Sequence, residues 1–295
     1  MERKPSFFPE FKGFVSGVVG AWCGVIVGQP FDIVKVRLQN SGGSAWVTLK
    51  TLLQNEGFFA LWKGSLPPLI GLGLGNSISF GINENAKRII SSHNKPGEIL
   101  SLNQHATCGI IAGFSRAFIT CPVENVRIRI QIQGRIDPRG DPIYKGSVDC
   151  FLTILKNHGI VGLYKGFYMT MMRELIGMTM LFTIFQWSGR NIFGTTNVTT
   201  KELSVWKIMV CGGVAGYAYW IGFPFDVLKS KIQSDSYANP KYKNLRECVR
   251  LTYKEFGMAG YFKGFVPCIL RAFPVNAAVL TGFEVTMSLF GRTYK

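Results

Sequence analysis

Long stretches with few or no charged residues alternate with polar segments along this chain. Six of them run for 18 to 24 residues, which is enough for a helix to cross the hydrocarbon core of a bilayer. These stretches are 14–31, 65–83, 106–123, 166–189, 208–225 and 264–283. The pattern predicts an all-α membrane protein with six transmembrane helices, and an even number of spans puts both ends of the chain on one side.

The polar segments after the first, third and fifth stretches are the long ones. Two of them carry apolar residues at helical spacing, namely Leu49, Leu52, Leu53, Val148, Phe151, Leu152 and Leu155. This spacing predicts short amphipathic helices that lie along the membrane surface.

A ten-residue motif closes each odd-numbered stretch, at 30–39, 122–131 and 224–233. It consists of a proline followed by an acid, a base, a second base and a glutamine at offsets of two, five, seven and nine. Three copies divide a single domain into repeats of approximately 12–97, 98–200 and 201–295, and an internal repeat of this kind indicates a repeated structural unit.

On a helix the acid, the first base and the glutamine of each motif share one face, while the second base points to the opposite side. If the three helices surround one axis, the acids and first bases can form a closed ring of ion pairs between repeats. The alternative is three amphipathic helix ends that are each solvated alone. Recurrence of the same offsets favours the ring.

Each long polar segment also ends alike, in a glycine, four residues, an aromatic residue, a lysine and a glycine. The three endings are Gly57 with Trp62, Lys63 and Gly64, Gly159 with Tyr164, Lys165 and Gly166, and Gly257 with Phe262, Lys263 and Gly264. Such glycines are typical of turns.

Composition agrees with a membrane protein, because 47% of the residues are hydrophobic and the mean hydropathy is +0.19. The net charge of +16 suits contact with anionic lipid headgroups. The basic residues sit at the ends of apolar stretches instead of forming one stripe with interleaved aromatics, so we expect no nucleic-acid partner.

The sequence offers little for chemistry on a substrate. His93, His105 and His158 are scattered, and the seven cysteines show no paired spacing, so we expect no metal and no cofactor. We find no nucleophile with a nearby base and no phosphate-binding loop, and we therefore expect no enzymatic activity. The first 12 residues do not look like a signal or transit peptide.

The threefold motif and the threefold endings together resemble the mitochondrial carrier family, and the resemblance covers essentially the whole chain. It implies three pseudo-symmetric two-helix modules with short matrix-side surface helices around a central substrate cavity, in the mitochondrial inner membrane. It also implies antiport by alternating access, and cardiolipin bound at the aromatic-lysine-glycine endings.

By the same resemblance, a gate on the matrix side would be formed by six residues and braced by three glutamines. The gate residues would be Asp32, Lys35, Glu124, Arg127, Asp226 and Lys229, and the braces Gln39, Gln131 and Gln233. The proline of each motif would bend its helix inward to close this gate.

The family's opposite, cytoplasmic gate is eroded in this chain. The equivalent positions hold Glu84 with Lys87, Gln186 with Gly189, and Glu284 with Met287, so one base remains of three. We therefore expect the matrix-closed state to prevail at rest. The erosion also leaves open a chain that no longer transports and is a structural subunit of a larger membrane complex.

Charges in the middle of a span are costly and mark functional sites. Arg173 and Arg271 occupy equivalent positions in the second and third repeats, where the first repeat has Gly71, and Glu174 adds an acid. Two arginines and one carboxylate favour a small zwitterionic substrate whose carboxylate meets an arginine. The alternatives are an Arg173–Glu174 pair that faces protein, or arginines that reach toward headgroups.

Local sequence around Arg271 resembles the carnitine/acylcarnitine carriers. The residues around Arg173 resemble both these and the ornithine and basic amino-acid carriers, and the segment that begins at Asn76 leans toward the latter, although its preceding residue is Gly75 and not an acid. We therefore rank carnitine-like substrates above dibasic amino acids.

Three departures from the family pattern bear on the site. Of three expected prolines after the contact positions only Pro274 is present, the fifth span is one residue short before Pro224, and Arg116 is an extra cation. Arg116 either lines the cavity or faces a neighbouring helix.

Overall fold

The structure is a computed structural model that describes residues 7–41, 43–95, 98–133, 143–195 and 205–289. Ten α-helices and three 3₁₀ segments account for most of these residues. The α-helices are α1 Phe7–Ser41, α2 Ala45–Glu56, α3 Leu66–Ser92, α4 Leu102–Ile132, α5 Ser147–Leu163, α6 Phe167–Phe193, α7 Val205–Ala218, α8 Phe223–Ser234, α9 Leu245–Phe256 and α10 Phe265–Leu289. The 3₁₀ segments are Phe58–Trp62, Tyr219–Gly222 and Met258–Phe262.

The prediction of an all-α protein built from three repeats is confirmed. The long helical segments α1, α3, α4, α6, α7 with α8, and α10 coincide with the six predicted stretches. Among the residues that the structure describes, three helical stretches are long and apolar enough to cross a membrane, namely Val15–Asn40, Leu102–Ile132 and Met258–Leu289. The short helices α2 and α5 form where the leucine spacing predicts them.

Each repeat packs its short helix against the end of its motif helix. In the first repeat Leu52 of α2 is almost fully buried against Ile33 and Leu38 of α1. In the second repeat Cys150 and Ile154 of α5 are buried against Val126 of α4, and in the third Cys248 of α9 packs against Leu228 of α8. Burial of these side chains fixes each surface helix relative to the motif.

The long helices approach closely where glycines face a neighbouring backbone. A Cβ added to Gly20 would lie 2.7 Å from the carbonyl oxygen of Val279, which places α1 directly against α10. A Cβ on Gly113 would lie 2.6 Å from the carbonyl oxygen of Glu174, so α4 is equally close to α6. The four-residue glycine spacing alone does not predict such contacts, because Gly212 and Gly216 have no described neighbour within 4 Å.

The fifth long segment differs from its counterparts. Helices α1 and α4 continue through Pro30 and Pro122. In the third repeat a 3₁₀ segment, Tyr219–Gly222, separates α7 from α8, and Pro224 lies in the first turn of α8. This is the place where the sequence is one residue short.

Candidate functional site

The acids and first bases of the three motifs meet in a closed ring of ion pairs. Arg127 of the second repeat lies 2.6 Å from Asp32 of the first. Lys229 of the third pairs with Glu124 of the second, and Lys35 of the first pairs with Asp226 of the third. Every pair joins two different repeats, as the helical offsets of the motif predict. We call these six residues the ion-pair ring.

Two arginines from the even-numbered long helices give the ring acids further cationic partners. Arg271 of α10 places Nε 3.0 Å from Asp32 Oδ1. Arg173 of α6 donates Nη2 to Glu124 at 3.1 and 3.2 Å and holds Nε 3.7 Å from Asp226 Oδ1. The sequence predicts Arg173 and Arg271 as equivalent substrate contacts, and the structure brings both to the same ring.

A third arginine, Arg116 of α4, lies beside this ring. Glu174, whose side chain is 1% exposed, pairs with Arg173 and with Arg116, whose Nε lies 3.2 Å from Glu174 Oε2. Arg116 also donates to Ser79 Oγ of α3 at 3.3 Å. Arg116 therefore faces neighbouring helices, as one of its two interpretations expects, and its place on a substrate cavity stays a prediction.

The ring, Arg116, Arg173, Glu174 and Arg271 form what we call the charge cluster. It holds six basic and four acidic side chains, an excess of two positive charges. The alternative of an Arg173–Glu174 pair is also realised, since both residues are buried and paired. The pair nevertheless belongs to the cluster, because Arg173 reaches Glu124 as well.

Gly71 is the counterpart of Arg173 and Arg271 in the first repeat, and we expect it to contact the substrate. A Cβ on Gly71 would lie 2.6 Å from Val123 Cγ1, so α3 packs closely on α4 at this position. Gly71 therefore has a packing role, and its contact with a substrate stays a prediction. The side chain of Asn76 lies outside the described residues.

The motif glutamines do not bond to the ring in this structure. The amides of Gln39 and Gln131 are buried and, within the described part of the chain, have no hydrogen-bond partner. Gln233 donates to Thr170 Oγ1 at 3.4 Å and to Cys121 Sγ at 3.7 Å. Their role as braces stays a prediction. Gln39 and Gln131 line a cavity of about 60 Å³ beside the ring.

A glutamine that the sequence interpretation missed does support the ring. Gln29, which directly precedes Pro30, is fully buried and accepts a hydrogen bond from Arg127 Nη2 at 2.9 Å. Its amide donates to the backbone oxygen of Lys63 at 2.6 Å. Its place next to the motif proline is a weak signal, since only the first repeat has glutamine there.

The last glycine of each segment ending contacts the motif helix of the next repeat. A Cβ on Gly64 would meet Gln131 Cγ at 3.1 Å, one on Gly166 would meet Gln233 Cγ at 3.0 Å, and one on Gly264 would meet Lys35 Cγ at 3.0 Å. All three have positive φ, between 76° and 82°. Glycine is thus required at each position for two reasons, namely the positive φ and the lack of room for a side chain.

The lysines of the endings turn inward, and in each repeat the lysine shares a partner with the second base of the motif. In the first repeat, Lys63 and Arg37 both pair with Glu56. In the other two repeats the shared partner is an aromatic ring. Arg129 and Lys165 lie over the ring of Tyr237. Lys231 and Lys263 lie over the ring of Phe256. These contacts are cation–π interactions.

The segment endings are also the predicted sites of cardiolipin binding. Gly57, Gly159 and Gly257 also have positive φ, and Trp62 donates to the backbone oxygen of Ile26 at 2.9 Å. The turn-making role of the endings is therefore visible in the backbone. Cardiolipin binding by Gly57, Trp62, Lys63, Gly64 and their counterparts stays a prediction.

Glu56 is held ionised by its surroundings. Burial alone would raise the pKa of this carboxyl group, but hydrogen bonds from Arg37 and Lys63 lower the pKa below its ordinary value. In the second repeat His158 takes the equivalent position and stacks on Tyr237 with ring centroids 4.0 Å apart.

Among the residues that the structure describes, the predicted cytoplasmic gate has one ion pair, and it lies within the first repeat. Glu84 pairs with Lys87, three residues further along the same helix, at 2.6 Å. Gln186 is buried in α6, and the side chain of Glu284 lies outside the described residues. The ion pairs of the ring join the repeats at the motif end of the long helices, and at the opposite end Lys207 of α7 lies over the ring of Phe193 of α6, 5.4 Å from its centroid.

Comparison with known proteins identifies the same threefold pattern. The family model described as mitochondrial carrier protein matches residues 8–94, 99–195 and 201–294. The three matched ranges follow the three repeats of the fold.

Several characterised proteins are similar over nearly their full length. The glutamate/glycine mitochondrial carrier ymc1 of Schizosaccharomyces pombe is 38% identical over 283 residues, covering 92% of each chain. The mitochondrial glycine transporter YMC1 of Saccharomyces cerevisiae is 36% identical over 95% of this chain and 92% of its own. The human mitochondrial carnitine/acylcarnitine carrier protein is 34% identical over 97% of both.

Proposed function

This chain belongs to the mitochondrial carrier family and is a transporter, and on that premise we propose that it carries a small solute bearing a carboxylate and an amino or ammonium group. The proposed location is the mitochondrial inner membrane, which the chain crosses six times. The proposed mode is antiport by alternating access, with the ion-pair ring as the matrix gate and cardiolipin as a structural lipid.

One observation carries the choice of a carboxylate. Arg173 and Arg271, from equivalent positions of two repeats, converge on the ring in a cluster with two positive charges in excess. An arginine fork meets a carboxylate through paired, charge-assisted hydrogen bonds. The side chain of Arg271 is 32% exposed, more than the other charged side chains of the cluster, and we propose it as the first anchor.

The same contacts suggest how binding would open the gate. A substrate carboxylate would compete with Asp32 for Arg271 and with Glu124 for Arg173. A ring acid that loses its arginine keeps only its partner in the ring, and that remaining pair is easier to separate. Substrate binding would thus weaken the ring from the side that faces the substrate.

The names of the similar proteins include glycine, glutamate and carnitine, each of which combines a carboxylate with an amino or ammonium group. Small amino acids and carnitine-like zwitterions are therefore the substrates that we propose to test first. Dibasic amino acids rank below them, because Gly75 stands where a second acid would be needed.

The experiment is uptake by the purified protein in cardiolipin-containing liposomes that are preloaded with the same solute. We expect uptake of at least one of glycine, glutamate and carnitine. Arg271→Ala should reduce this uptake at least about tenfold, because a charged hydrogen bond to the carboxylate is lost. Arg250→Ala, which removes an exposed arginine of α9, is the matched control.

Protein that is folded and inserted but takes up none of these solutes would contradict the proposal. Co-purification of stoichiometric partner subunits with such inert protein would support a structural subunit instead. Equal loss of uptake in Arg271→Ala and Arg250→Ala would remove Arg271 from the site.

A further inference from the structure

The carboxylate of Glu174, an acid of α6 outside the three motifs, is already paired with cations of the same chain. Glu174 is 1% exposed, and its two oxygens face two arginines of the same chain, Arg173 at Oε1 and Arg116 at Oε2. Arg116 is itself fixed, because it donates to Ser79 Oγ, and that hydroxyl donates to the backbone oxygen of Gly75 at 2.6 Å. The pair therefore ties together α3, α4 and α6.

We propose that Arg116 is a specificity-determining residue, a built-in cation that occupies Glu174 and excludes substrates carrying a separate cationic group. The inference rests on the proposed function. It narrows the substrate to amino acids with an uncharged or acidic side chain, and it ranks trimethylammonium carboxylates and dibasic amino acids below them. This ranking differs from the one that the sequence alone suggests.

The physical reason lies in how different cations are solvated. The α-ammonium of an amino acid has three N–H groups and can donate to neutral oxygen acceptors. A trimethylammonium group has no N–H, so it needs a carboxylate or an aromatic face once it leaves water. A distal lysine or ornithine ammonium likewise needs an anion where water is excluded. With Glu174 occupied, neither group finds its partner there.

The charge balance acts in the same direction. Arg116, Arg173 and Glu174 carry a net positive charge of one, whereas without Arg116 the remaining pair is neutral. A further cation is therefore repelled in this part of the charge cluster, and a second carboxylate is attracted. Removal of the Arg116 charge would weaken both effects.

The test compares uptake of glutamate, glycine, carnitine and lysine into liposomes by wild-type protein and three variants. Arg116→Gln removes the charge but keeps an amide that can donate to Ser79. We expect the ratio of carnitine or lysine uptake to glutamate uptake to rise at least about tenfold. Arg116→Lys keeps the cation, and we expect it to retain the wild-type ratio even where its rate falls.

A double variant, Arg116→Gln with Glu174→Gln, separates the proposed role from mere loosening of the helices. It lacks the blocking cation and also the carboxylate, so it should again reject carnitine and lysine. The inference is overturned if Arg116→Gln lowers all four uptakes in proportion, or if the double variant keeps the gain. Wild-type protein that transports none of the four overturns the proposed function itself.

Discussion

At the scale of single residues, a glycine decides where a key arginine can lie. Gly28 and Asp32 are one helical turn apart on α1, and together they accommodate the side chain of Arg271. A Cβ on Gly28 would lie 2.9 Å from Arg271 Nε and 2.9 Å from Val275 Cγ2. The missing side chain thus lets the guanidinium cross α1 and reach the carboxylate of Asp32.

Gly28→Ala should therefore displace the guanidinium of Arg271 from the place where we propose that it receives the substrate carboxylate, and so weaken substrate binding. We expect KM in liposome uptake to rise at least about tenfold, with an overpacking cost of about 1–3 kcal/mol. Gly17→Ala on the same helix is the control, because a Cβ there meets nothing within 4 Å. That variant should be neutral or gain about 0.5–1 kcal/mol, as expected for glycine replaced by alanine in a helix. Identical behaviour of the two variants would refute the role of Gly28.

At the scale of elements, the 3₁₀ segment Tyr219–Gly222 compensates for the missing residue of the third repeat. Four 3₁₀ residues rise about 8 Å and turn about 480°. Five α-helical residues rise about 7.5 Å and turn about 500°. In ideal geometry the two alternatives match within about 0.5 Å and 20°, so a 3₁₀ segment can take the place of the longer α-helical one between α7 and α8.

An alanine inserted between Trp220 and Ile221 should consequently be tolerated, since the segment can become α-helical without moving its neighbours. We expect the thermal unfolding midpoint of the detergent-solubilised protein to change by no more than about 2 °C.

The same insertion between Ile26 and Val27, the corresponding place in α1, is the matched comparison. That helix has no 3₁₀ turn to convert, so the insertion should rotate Gly20 and Gly24 about 100° away from Val279. A clear loss of thermal stability is expected. Equal damage by both insertions would argue against compensation.

At the scale of the whole molecule, the ion-pair ring follows from the threefold repeat, whereas the proposed substrate site depends on residues that differ between the repeats. The ring needs three equivalent acids and bases, and each pair joins two repeats. Two arginines then serve three acids, because Arg173 contacts both Glu124 and Asp226 while Gly71 contributes none. A substrate without threefold symmetry is therefore presented with three different surfaces around one axis.

The ring pairs are shielded from water, and this should make their coupling measurable. The side chains of Lys35 and Asp226 are each 17% exposed, whereas Lys241 and Glu255 form a surface pair that is 52% and 37% exposed. In a double-mutant cycle, Lys35→Met and Asp226→Asn should couple by about 1–3 kcal/mol.

Lys241→Met and Glu255→Gln should couple by less than about 0.5 kcal/mol, the usual value for an exposed pair. Thermal unfolding of the singles and doubles provides the comparison. Equal coupling in the two cycles would mean that the ring pairs behave as ordinary surface pairs.

The features of the fold that follow from repetition are predictable from the sequence. The offsets of Asp32 and Lys35 and of their counterparts predict the ring because a helix converts spacing into a shared face. Contacts of Arg271 and Arg116 could not be predicted, since they depend on how far long side chains extend across helix boundaries. The packing of Gly71 on Val123 was equally hidden, because it depends on the distance between α3 and α4.

The last glycine of each segment ending contacts the motif helix of the following repeat, always in the same direction around the axis. These glycines are Gly64, Gly166 and Gly264. Each repeat is therefore in contact with the next one around the axis, so a rotation of one repeat would displace its neighbour. We expect opening of the ring to be concerted around the axis. A bulky residue at any one of these glycines should hinder the movement of two neighbouring repeats at once.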